Sequence, residues 1–146
     1  MYDTILVPTD GSEVAVRAAR EAFDLARATG ATVHVVFVVD ESASSFLLSG
    51  DSMAQVLDAL EAEGESAVER ALAAAGDVPT ETTVVRGMKV SEAIEEYVDR
   101  HGIDLVVMGT RGRHGVDHLL GSTTERVLAN VGVPTLVVGD DAADEV

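Results

Sequence analysis

The chain has 146 residues and no cysteine, with 26 acidic against 10 basic residues and a formal net charge of −16 at neutral pH. That length supplies one hydrophobic core and is short for two, and no apolar run approaches the roughly 20 residues that cross a bilayer. The acidic field repels nucleic acid and anionic membranes, and the missing cysteines exclude a disulfide framework and thiolate chemistry, so a single-domain cytoplasmic protein that binds neither nucleic acid nor membrane is expected. Lys89 is the single lysine among the basic residues. This resembles a halophile's surface, since at molar salt the Debye length falls to about 3 Å and self-repulsion is screened; an ordinary acidic protein is the alternative.

The N-terminal MYDTILVPTDGS has no basic leader, and its apolar run breaks at Pro8, unlike a secretory signal. Thr4 to Pro8 reads as a buried strand, and Thr9-Asp10-Gly11-Ser12 as a turn. The next stretch places Ala15, Ala19, Ala22, Phe23 and Ala26 on one face and Arg17, Arg20, Glu21, Asp24 and Arg27 on the other, an amphipathic helix stopped by Gly30 with Ser12 as its cap. Thr32 to Val39 is β-branched enough for a second strand. A strand, a helix and a second parallel strand form a right-handed crossover unit.

From Asp40 to Glu69 the chain has acidic residues and no basic one. It reads as a loop over 41–52, long enough to lie over a ligand, and then as a helix from about Met53 to Ala75 with a solvated acidic face. The alternation continues with a strand at Glu81 to Arg86, a helix at Ser91 to Arg100, a strand at Asp104 to Met108, a helix at Ser122 to Asn130 and a last strand at Thr135 to Val138. Near-continuous apolar strands such as LVVM and TLVV indicate a parallel sheet covered on both faces. The fold class is therefore α/β: a single doubly wound, Rossmann-like sheet of five parallel strands, and the order 3-2-1-4-5 is the one expected. Residues 1–139 form the domain, and 140–146 are an acidic tail expected to be disordered.

In an open parallel sheet, ligands sit beyond the carboxyl ends of the strands, where strand order reverses. Three segments converge there: Pro8, Thr9 and Asp10; Val38 to Asp40; and GTRGRHGVDHLLGSTTERV from Gly109 to Val127. Gly109 and Gly112 lie where the chain leaves a strand, and without Cβ atoms they let backbone N–H groups approach a ligand. Ser122 and Glu125 match a capping box with Ser122 as N-cap; the same helix start offers N–H groups, hydroxyls and the positive dipole end to an anion. Arg111, Arg113 and Arg126 against Asp117 and Glu125 make this segment +1 in a chain of −16. No P-loop and no G-x-G-x-x-G after the first strand occurs. The residues alone lead to an anion-binding loop.

ILVPTDGS, VVFVVDE, RGMKVSEAIEEYVDRHGIDLVVMGTRGR, GSTTERVL and VPTLVV together resemble the universal stress protein family over the whole chain. Its ATP-binding branch carries G-x-x-G, nine residues, then G-[ST]. The resemblance implies ATP, or ADP or AMP, with Mg²⁺ as cofactor. It places Pro8, Thr9 and Asp10 near the phosphates and ribose, Val38 on the adenine, and Met108, Gly109, Thr110, Arg111, Gly112, Arg113, Gly121, Ser122, Thr123 and Thr124 around the ribose and triphosphate. It also implies a homodimer pairing through Pro134 to Val138, and a nucleotide-dependent stress-response switch. The departure from the family is in the glycine segment, where eight residues separate Gly112 from Gly121. One missing residue spans up to about 3.5 Å of extended chain, and it leaves a nucleotide-free interaction module open as the alternative.

Asp10 is the best carboxylate for a Mg²⁺ riding on phosphates; the other reading makes it a turn residue before the first helix. His114 and His118 are four apart with no third metal ligand nearby, and read as loop residues. His34, inside an apolar strand, reads as a core or capping histidine. Arg111 and Arg113 could neutralise charge in phosphoryl transfer, but no general base or positioned acceptor accompanies them. A dedicated enzyme is not indicated, and slow ATP hydrolysis or phosphotransfer is a further alternative.

Overall fold

A computed structural model describes residues 1–42, 53–110 and 120–139. Its strands are β1 (Thr4–Pro8), β2 (Thr32–Asp40), β3 (Thr80–Gly87), β4 (Leu105–Gly109) and β5 (Thr135–Val138). Its helices are α1 (Glu13–Thr29), α2 (Met53–Ala71), α3 (Val90–His101) and α4 (Ser122–Asn130), with a 3₁₀ turn at Leu72–Ala74. All the strand pairs are parallel, in the order β3-β2-β1-β4-β5. The expected order is therefore the observed one.

Alternation along each strand builds two cores, because successive side chains leave a strand on opposite faces. Ile5, Val7, Val33, Val35, Phe37, Val39, Leu105 and Val107 face the alanine-rich stripe of α1 and the inner side of α2. Leu6, Val36, Val38, Val106 and Met108 face Ile94, Tyr97 and Val98 of α3 and Val127 of α4. β4 is buried along its length and β1 from Ile5 to Val7, whereas the edge strands β3 and β5 are half-exposed. This division follows from coverage: an inner parallel strand has helices on both faces, an edge strand has water beside it.

The bounds of β2, β3 and α3 extend by a residue beyond those expected, and two other departures have visible reasons. The α-helical part of α2 stops at Ala71 and not near Ala75, the chain tightening into the 3₁₀ turn. Arg27 of α1 reaches across and donates to the carbonyls of Ala74 at 3.2 Å and Ala75 at 3.4 Å, which satisfies a helix end that has run out of internal donors. Asp104 lies before β4; its carboxylate accepts the N–H of Asp3 at 2.9 Å and of Thr4 at 3.3 Å, fastening the start of β1. Ser12 caps α1 as expected, accepting the Ala15 N–H at 3.2 Å. Arg86 on the exposed edge strand pairs with Glu61 of α2.

Candidate functional site

The chain turns one way from β1, through α1 to β2, and the other way from β4, through α4 to β5, so the reversal lies between adjacent β1 and β4. The expected segments meet at this end. Thr9 is buried, and its N–H donates to the Val36 carbonyl at 2.9 Å, tying the turn after β1 to β2. Within the turn, Thr9 Oγ1 accepts the Gly11 N–H at 3.1 Å and Asp10 Oδ1 accepts the Ser12 N–H at 2.9 Å. Asp10 is thus a turn-forming residue in this structure.

Gly109 ends β4 and is buried against α1. A Cβ placed on it would lie 3.0 Å from Cγ1 and 3.2 Å from Cγ2 of Val14. Its missing side chain lets the first turn of α1 approach the carboxyl end of β4, a packing role that glycine spacing alone does not reveal. Val38 and Met108 are buried in the core on the α3 and α4 side, both near the carboxyl ends of their strands. Asp40, the last residue of β2, accepts the Ser42 N–H at 3.1 Å and hydroxyl at 2.6 Å.

The two ends of the glycine segment are joined. Thr110 N–H donates to Val138 O at 2.9 Å, and Gly121 N–H donates to Thr110 O at 2.7 Å. Thr124, also buried, donates its hydroxyl to Gly109 O at 2.9 Å. Thr110 and Gly121, on either side of the segment, are therefore held together. Arg111, Gly112 and Arg113, together with His114, Asp117 and His118, lie outside the described residues, as do 43–52 of the expected covering loop and the tail 140–146.

The expected capping box is corrected. Gly121, with φ −67° and ψ 155°, is the N-cap of α4, and no side chain caps the helix. Ser122 is the first helical residue and is exposed, and the Glu125 N–H donates at 3.0 Å to Gly121 O as the first helical bond. The hydroxyl that matters for the fold is that of Thr124, which a search for a capping pair passes over because its acceptor lies fifteen residues away. A helix start capped by glycine keeps its first-turn N–H groups clear of a capping side chain, the arrangement that suits an anion. Thr123 sits in the same turn, half-exposed.

Comparison with known proteins places this geometry. The model of the universal stress protein family matches residues 1–139. A universal stress protein of Methanocaldococcus jannaschii is 36% identical over 141 residues, covering 94% of this chain and 82% of that protein. Among solved structures, the universal stress protein UspA of Lactobacillus plantarum superposes with a TM-score of 0.77 at 28% identity, over 94% of this chain and 97% of that one. A universal stress protein in complex with cAMP shares the fold, with a TM-score of 0.62 at 24% identity over 94% of this chain and 97% of that one. With the strand order, the switch-point turn and this match along nearly the whole length, the chain belongs to the universal stress protein family.

Proposed function

We propose that the chain binds ATP, or ADP or AMP, at the reversal between β1 and β4, and that nucleotide occupancy acts as a stress-response switch. The observation that carries this reading is the closed base of the glycine segment. The Thr110–Gly121 hydrogen bond of 2.7 Å brings the end of β4 onto a helix start that no side chain caps. In this reading Pro8, Thr9 and Asp10 border the phosphates and ribose, and Val38 borders the base. Met108 to Arg113 and Gly121 to Thr124 surround the ribose and the phosphate chain. A Mg²⁺ riding on the phosphates would use the Asp10 carboxylate, a hard oxygen donor suited to that ion. The chain would pair with a second copy through β5, an edge strand whose Leu136 is 41% exposed.

The second reading, a nucleotide-free interaction module of the same fold, is favoured by the eight residues between Gly112 and Gly121. The two are separated by denaturing freshly purified protein and identifying released nucleotide by mass spectrometry, followed by calorimetry with Mg-ATP in molar KCl. No released nucleotide and no heat would eliminate the binding reading. Gly121→Val gives the residue-level test: φ −67° and ψ 155° are accessible to any L residue, so the fold should survive. The added side chain should lower ATP affinity at least about tenfold, a loss of about 1.4 kcal/mol; unchanged affinity would reject the site assignment. Turnover of ATP by the same preparation distinguishes binding from slow hydrolysis.

A further inference from the structure

At the amino end of the sheet, away from the candidate nucleotide site, an aromatic cluster joins β2, β3 and α3. His34 of β2 is 6% exposed, and its Nδ1 lies 2.7 Å from the Tyr97 hydroxyl. Tyr97 and His101 are one helical turn apart on α3 and stack at 3.9 Å between ring centroids. The His101 ring also lies edge-on to His34 at 5.9 Å. From β3, Glu81 is the register neighbour of His34, its Oε2 lying 3.7 Å from Nε2. From β1 the register neighbour is Leu6, which carries no charge.

We propose that His34 is an acid-sensing latch: neutral, it fastens α3 to the sheet through Tyr97, and protonated, it loosens that attachment. The hydrogen-bond chain gives the mechanism. The Tyr97 O–H donates to Nδ1 of neutral His34, and the His34 Nε2–H faces Glu81. A proton arriving at Nδ1 places a second hydrogen in the 2.7 Å gap that the Tyr97 O–H already occupies. Tyr97 must then turn its hydroxyl, and the new charge sits in a buried position beside His101. Burial pushes the His34 pKa below its ordinary value, Glu81 opposes this, and His101 adds to it. Burial likewise pushes the Tyr97 hydroxyl up, keeping it a protonated donor.

The sign of the linkage is fixed by that direction. A histidine whose folded pKa is depressed contributes its full stability above its unfolded pKa of about 6.5. That contribution is lost as pH falls below this value and through the folded pKa.

The test is a histidine NMR titration of the full chain in molar KCl, comparing wild type with Glu81→Gln and His101→Gln, both substitutions at exposed positions. The His34 midpoint should lie below about 6.5, fall in Glu81→Gln and rise in His101→Gln. The loss in urea midpoint between pH 7.5 and pH 5.0 should be larger than wild type in Glu81→Gln and smaller in His101→Gln. Over the same interval, amide protection corrected for intrinsic exchange should fall more in the last turn of α3 than in β4. A His34 midpoint at or above 6.5, midpoints unmoved by both variants, equal acid losses in the three proteins, or equal changes in α3 and β4 protection would each overturn the latch.

Discussion

Thr124 shows how much one hydroxyl can organise. It sits at the third position of α4, yet its bond runs to the carbonyl of Gly109, joining the helix to the end of β4 in a buried place. Thr124→Val keeps the shape and removes the donor, and a buried carbonyl deprived of its partner costs about 1–3 kcal/mol. The expected outcome in urea denaturation is a stability loss of that size with an unchanged m-value; a loss under about 0.5 kcal/mol would show the bond to be dispensable. Residue types told much less about this position than about Ser12. The Ser12 cap acts on a backbone group three residues along and is legible in a local pattern. The Thr124 bond needs β4 and α4 already in place. Ser122 failed as a cap for the same reason: the helix begins beside Thr110, and it is Gly121 that makes the bond to that strand end.

Helix α2 carries its own test of packing between elements. Gly64 lies in the middle of the helix, where glycine costs roughly 1 kcal/mol relative to alanine, but a Cβ there would lie 2.6 Å from Cδ1 of Phe37 in β2. Close approach of α2 to the sheet requires the missing side chain. Gly64→Ala should therefore destabilise despite its better helix propensity, because overpacking costs about 1–3 kcal/mol. Thermal melts should show a lower Tm, with Phe37→Leu in the same chain restoring part of the loss; a Gly64→Ala protein as stable as wild type would mean that the ring yields freely. The elements themselves were readable from apolar alternation in β1, β2 and β4 and from the alanine stripe of α1. The end of α2 was not, because the carbonyls of Ala74 and Ala75 are taken by Arg27, far away in the sequence.

For the whole molecule, charge is the quantity that conditions determine. A net −16 on 146 residues repels itself, and raising KCl from 0.1 to 1 M shortens the Debye length from about 10 to about 3 Å. The urea midpoint should rise across that range, most steeply at its lower end; a midpoint independent of salt would show that the acidic residues contribute no net repulsion to the folded state. The sequence by itself determined the layered α/β fold, with its alternation of buried parallel strands and amphipathic helices. It could do so because strand alternation, helical periodicity and the direction of parallel crossovers are local or follow general topological rules. Tertiary structure decided which glycines serve packing and which hydroxyl joins α4 to the end of β4, and it set His34 against Glu81, Tyr97 and His101. Those pairings depend on strand register and helix placement between residues far apart in the chain, which no local spacing encodes.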